Sequence, residues 1–167
     1  MKKLRFGILS TSSIAPRFIK ALQATGTCEA AALASRSLEK AREKAALWNV
    51  PKARGSYEEL LCSDDIDIAY VAMINSEHYR YAKMALEQGK HVLCEKPFTL
   101  SPQESQNLFT LAQEKGLFIM EAQKVLFLPV IQKIKELIEA GSFGPIKMAD
   151  FSSSFDPGYN TWFFDPE

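Results

Sequence analysis

Four short segments of this chain carry residue types able to do chemistry. Glu95-Lys96-Pro97 sets a carboxylate and an amine side by side ahead of a proline. The residue before a proline is pushed toward extended backbone, and an X-Pro bond can be cis. Either would aim Lys96 into a cleft instead of along a helix face. A lysine so placed can hydrogen-bond a carbonyl or hydroxyl oxygen undergoing interconversion and stabilise the negative charge developing there. The run Ser10-Thr11-Ser12-Ser13-Ile14-Ala15 joins an apolar stretch to a helical pattern. In that context free backbone N–H groups and the helix dipole can receive a pyrophosphate.

Ser10, Ser12 and Ala15 fall on the three small positions of the G-x-G-x-x-G/A fingerprint. Serine replaces both leading glycines, which removes backbone freedom but adds a hydroxyl donor on a small side chain. An ordinary helix cap is the alternative for such a serine-rich entry. Ser35-Arg36, with Lys40 one turn further on, stands where an NAD site offers Asp or Glu to the ribose 2′-hydroxyl. A hydroxyl and a guanidinium suit a 2′-phosphate, so this segment favours NADP over NAD, the alternative being a surface arginine at a strand–helix junction. Asn75 and His78 sit where a loop enters a helix. His78 is either a phosphate donor or a plain helix-start histidine.

Other reactive types read as structural. Asp64, Asp65 and Asp67 at a turn suggest solvated carboxylates, not a metal site. Cys94 has no base beside it and reads as a buried strand-end thiol. Phe127, Leu128 and the apolar stripe to Ile138 read as core. No metal is expected.

The elements that must position these residues alternate between apolar runs and amphipathic helices, the pattern of a parallel sheet with crossover helices. Strands are expected at Leu4–Leu9, Ala30–Ala34, Ile68–Ala72, His91–Leu93 and Leu117–Ala122. Helices are expected from Ile14 to the Gly26 stop, from the Ser37 cap to before Pro51, and from about His78 to Gly89. Ser56 with Glu59, and Ser101 with Glu104 behind Pro102, are capping boxes that open two more. After residue 122 the rhythm changes. Pro129–Ala140 is amphipathic, Gly144-Pro145 is a turn, and Ile146–Phe155 alternates loosely like a strand. The fold class expected is α/β: a Rossmann-type doubly wound parallel sheet over residues 1–122, then the start of an incomplete α/β domain over 123–167.

Composition narrows the function classes. Twenty basic and 20 acidic residues cancel over 167, removing the electrostatic footprint of a nucleic-acid binder or a protein held on anionic lipid. The longest uncharged stretch, Phe6–Pro16, has 11 residues, about half of what a membrane span needs. The basic start Met-Lys-Lys-Leu-Arg is followed by an apolar run only from Phe6 to Leu9, so no secretory signal is expected. Three widely spaced cysteines (Cys28, Cys62, Cys94) fit reduced thiols in the cytoplasm. Six of the 18 aromatic residues crowd into the last 17 positions: Phe151, Phe155, Tyr159, Trp162, Phe163 and Phe164. Rings need packing partners, so the chain is expected to stop inside a structural unit, with self-association as one outcome.

The run GKHVLCEKPFTLS, with INSEHY upstream and LFIMEAQKVLFLP downstream, resembles the Gfo/Idh/MocA oxidoreductases, in their dihydrodiol dehydrogenase-like branch. The resemblance implies a Rossmann domain binding NADP or NAD, a second α/β domain with an open sheet, and hydride transfer at a sugar, polyol or dihydrodiol-type carbon. By position it implies Ser10, Thr11, Ser12, Ser13 and Ile14 around the pyrophosphate, and Ser35 and Arg36 at the adenosine ribose. Asn75 and His78 would contact the nicotinamide half or its phosphates, and Glu95 the nicotinamide ribose. Lys96 would be the catalytic lysine, lining both cofactor and substrate sites, with a cis bond to Pro97. The histidine that such enzymes pair with the lysine has no counterpart in His78 or His91. A non-catalytic nucleotide-binding or interaction module is therefore the alternative reading.

Overall fold

A computed structural model describes residues 2–152. In chain order the elements are β1 (Leu4–Leu9), α1 (Ala15–Thr25), β2 (Cys28–Ala34), α2 (Leu38–Leu47), β3 (Lys52–Arg54) and α3 (Tyr57–Leu61). There follow β4 (Ile68–Val71), α4 (His78–Glu87), β5 (His91–Cys94), α5 (Pro102–Glu114), β6 (Ile119–Glu121) and α6 (Pro129–Glu139). The six strands form one sheet in the order β3-β2-β1-β4-β5-β6, and every pairing is parallel. This is the doubly wound Rossmann arrangement, and the strand order reverses between β1 and β4. Ligands of such sheets bind beyond the strand C-termini at that reversal.

Parallel strands buried on both faces read as unbroken apolar runs, and adjacent residues face opposite layers. Ile8 and Tyr70 accordingly pack with Ile19, Leu22 and Leu33 in one layer. Leu9 and Val71 pack with Leu60, Leu61, Ile66, Leu86 and Leu108 in the other. Gly7 interrupts β1 for a steric reason, since a Cβ there would lie 2.6 Å from Cδ1 of Ile66.

The helix signals form as expected. The hydroxyls of Ser37, Ser56 and Ser101 accept from the amides of Lys40, Glu59 and Glu104 at 3.3, 3.0 and 3.3 Å. The Glu59 and Glu104 carboxylates reach back one residue beyond the cap, to the amides of Gly55 and Leu100 at 3.3 and 3.1 Å. Gly26 ends α1 with a φ of 69°, the left-handed conformation that glycine adopts without strain.

Three expectations changed. Phe127, Leu128 and the stripe through Val130, Ile134 and Ile138, expected as core, are exposed. β3 has no counterpart among the expected strands; it is three residues long, charged at both ends, and exists by pairing with β2 at the sheet edge. The strand expected at Ile146–Phe155 does not form over residues 146–152, for which no ladder partner exists among the described residues, and the rest of it lies outside them. The late aromatic residues from Phe155 onward also lie outside the described residues. The chain divides into two compact units, the first ending at Lys124 and the second beginning at Val125, with α6 as the described helix of the second. Among the described residues no helix is long and apolar enough to cross a membrane.

Candidate functional site

β1 ends in the turn that enters α1, and this turn carries several unpaired donors. Ser10 has a φ of 121°, a backbone region that L-residues rarely adopt, so serine holds the conformation for which the fingerprint uses glycine. Its hydroxyl compensates locally by accepting from the Ser12 amide at 3.0 Å. The amides of Thr11, Ser13 and Ile14 have no partner among the described residues. The helix N-cap, Ile14, has no side chain able to cap. Ser12 Oγ is buried and has no hydrogen-bond partner among the described residues. Free amides and an orphaned hydroxyl at a helix N-terminus form a site suited to a phosphate.

At the end of β2, Ser35 is buried and donates its amide to the Arg54 carbonyl at 3.3 Å. Arg36 is exposed and has no ion pair among the described residues. Arg54, by contrast, is committed to Asp65 and Glu59. Asp65 also takes Lys52 at 2.5 Å. Arg5 grips Asp67 at 2.6 Å. Both carboxylates at the Asp64–Asp67 turn that face strand residues are therefore ion-paired, a tighter arrangement than the solvated turn expected.

The loop after β5 is fastened at successive residues. The Lys96–Pro97 peptide bond is cis. The Lys96 amide donates to its neighbour's Glu95 Oε2 at 3.3 Å, and the Phe98 amide donates to Glu121 Oε1 at 2.8 Å. The Cys94 thiol lies 3.7 Å from the Phe98 carbonyl, and burial pushes its pKa up to about 12. His78, 1% exposed, sets Nδ1 2.8 Å from the Pro97 carbonyl and Nε2 3.1 Å from the Met73 carbonyl. Both ring nitrogens thus face backbone carbonyls, and none is left for a phosphate. Asn75 is exposed at the start of the short turn preceding α4. The Lys96 side chain is exposed, without an ion pair among the described residues. The Lys96 and Phe98 amides and the Pro97 carbonyl are held, while the Lys96 amine has no ion pair among the described residues.

Three further residues joined this site unannounced by the sequence reading. Tyr70, buried in β4, donates its hydroxyl to Glu95 Oε1 at 2.7 Å. Lys124 lies 3.4 Å from the same oxygen, and Glu121 holds Phe98. A tyrosine inside a buried apolar strand was the available signal, because a buried phenol needs a partner.

The donors at the α1 entry and the free guanidinium of Arg36 fit the phosphates of a dinucleotide. The family described as an oxidoreductase family with an NAD-binding Rossmann fold (Gfo/Idh/MocA) matches residues 4–123. The chain belongs to this family. Similar proteins include the trans-1,2-dihydrobenzene-1,2-diol dehydrogenase of Xenopus laevis, 39% identical over 145 residues, covering 86% of this chain and 44% of that protein. The scyllo-inositol 2-dehydrogenase (NADP(+)) IolU of Bacillus subtilis is 36% identical over 133 residues, covering 80% and 40% respectively. Among solved structures, KijD10, a 3-ketoreductase from Actinomadura kijaniata in complex with TDP-benzene and NADP, superposes with a TM-score of 0.77 at 32% identity, covering 84% of this chain and 44% of that one. This Gfo/Idh/MocA chain thus spans less than half the length of the relatives it matches.

Proposed function

We propose that this chain forms the cofactor-binding part of an oxidoreductase that prefers NADP and acts on an alcohol or carbonyl carbon of a sugar, polyol or dihydrodiol. The observation that carries the reading is Lys96, a free amine on a loop whose backbone is fixed by Glu95, His78 and Glu121. The names of the dihydrodiol and inositol dehydrogenases, and the NADP bound in KijD10, support it.

The amides of Thr11, Ser13 and Ile14 and the Ser12 hydroxyl would hold the pyrophosphate, with Ser10 shaping the turn. Ser35 and Arg36 would take the 2′-phosphate, Asn75 the nicotinamide half, and Glu95 its ribose. His78 acts through the Met73 and Pro97 carbonyls instead of touching the cofactor. The nicotinamide, when bound, supplies or accepts the hydride. Lys96 hydrogen-bonds the substrate oxygen, and its ammonium stabilises the charge that grows there as the carbonyl is reduced. In the opposite direction the Lys96 amine accepts the proton that leaves the hydroxyl, becoming the ammonium.

On this reading residues 1–122 are the cofactor domain, and 123–167 open a second domain that shapes the substrate pocket and supports self-association. The three free cysteines accord with a cytoplasmic protein. Titration of the purified chain with NADPH and NADH tests the proposal. NADPH should bind at least about tenfold tighter, as a charge-assisted phosphate contact requires. Binding of neither would overturn the cofactor reading, and tighter NADH would overturn the role of Ser35 and Arg36. Binding without any NADPH-linked turnover of carbonyl substrates would favour the non-catalytic module.

A further inference from the structure

Glu95 is an unusual residue to bury. The residue is 8% exposed at the end of β5, and its carboxylate needs donors that survive in a low-dielectric setting. Its Oε2 accepts from the Lys96 amide at 3.3 Å, and its Oε1 from the Tyr70 hydroxyl at 2.7 Å. The other group on Oε1, Lys124, is 3.4 Å away and 61% exposed, a long and solvated contact. The tyrosine is therefore the short, buried bond that fixes the carboxylate.

Tyr70 is itself fixed from the opposite side. Its ring is 1% exposed and stacks on Phe18 of α1, with centroids 3.8 Å apart and planes at 22°. Phe18 packs edge-on against Phe6 at 5.5 Å. The Phe18 amide donates to the Ile14 carbonyl, one turn from the helix mouth. A continuous set of contacts thus runs from the α1 entry through Phe18 and Tyr70 to Glu95 and the backbone of Lys96. Burial and the Glu95 carboxylate raise the Tyr70 pKa well above its ordinary value, so the hydroxyl stays a donor throughout the working pH range.

We infer that Tyr70 is a positioning residue: its hydroxyl sets the Glu95 carboxylate, and its stacked ring ties that carboxylate to the helix that receives the cofactor phosphates. The inference rests on the proposed dinucleotide site. It predicts that Tyr70 governs the nicotinamide end of the ligand and leaves the adenosine end alone.

The test compares NADPH with adenosine 2′,5′-bisphosphate, which carries only the adenosine end. Tyr70→Phe removes one oxygen and keeps the ring, and it should weaken NADPH binding about tenfold. Affinity for adenosine 2′,5′-bisphosphate should stay within about twofold, while the Lys96 amide resonance shifts in the ¹H–¹⁵N spectrum. Phe18→Leu keeps the hydroxyl bond and removes the stack, and it should weaken NADPH roughly threefold. Unchanged NADPH affinity in Tyr70→Phe, or equal weakening of both ligands, would overturn the positioning role while the cofactor reading stood. No effect of Phe18→Leu would overturn the link to α1. Failure of the wild-type chain to bind either ligand would remove the cofactor reading and the inference with it.

Discussion

At the end of β1, the amides of Thr11, Ser13 and Ile14 and the Ser12 hydroxyl have no partner among the described residues. At the end of β5, by contrast, Lys96, Pro97 and Phe98 all have backbone groups bound by Glu95, His78 and Glu121, and the lysine side chain is exposed. Both loops leave the same edge of a parallel sheet. The first has donors that an anion would complete, as the proposed cofactor site requires. The second has three of its backbone groups held before any ligand arrives, so the exposed Lys96 side chain starts from a fixed base.

The strongest way to break this contrast is Lys96→Ala. It should lower NADPH-linked turnover of a carbonyl substrate at least about a hundredfold while cofactor affinity moves less than about twofold. Surviving turnover would show that the second loop is fixed for some other purpose. His78→Leu attacks the fixing itself by removing the ring whose nitrogens face the Met73 and Pro97 carbonyls. Urea unfolding should report a loss of about 2–4 kcal/mol. A change under about 0.5 kcal/mol would mean that His78 fills space and nothing more.

On the open loop's side of the sheet the effects should appear in binding. Arg36→Ala should cost NADPH about tenfold and leave NADH unchanged, since only one of them carries the 2′-phosphate. Equal losses for both cofactors would refute the assignment. The smallest effect lies away from both loops. Arg5 holds the Asp67 carboxyl down at about 2, and the folded state thereby favours the ionised form. This contribution is fully present above about pH 4 and is lost as pH falls through about 2, and it is worth at most about 1 kcal/mol for so accessible a pair. Asp67→Asn should flatten that acid limb, and an unchanged pH profile would argue that the pair is neutral to stability.

Much of this was legible from residue order. Ser37, Ser56 and Ser101 act as caps within one helical turn, and Gly26 stops α1 by its own backbone freedom. Such signals are local, so sequence exposes them directly. β3 was missed because Lys52-Ala53-Arg54 has no strand pattern of its own and depends on its partner β2. Tyr70 and Glu95 are 25 residues apart, and their bond follows from β4 lying beside β5. His78 was visible as a candidate, but its burial between two carbonyls was not, because helix-start histidines look alike in sequence. Ser10 is the intermediate case. Its alignment with a fingerprint glycine was readable, while its φ of 121° puts the serine in backbone that glycine ordinarily occupies.

The thiols, finally, give the molecule an internal clock. Cys62 is exposed, Cys28 half-buried, and Cys94 buried directly beneath the lysine loop. A thiol-alkylating reagent should therefore mark them in that order, and modification of Cys94 would time the opening of the core beneath the β5 loop. Anything that grips that loop, cofactor included, would slow the last step of the sequence and leave the first untouched.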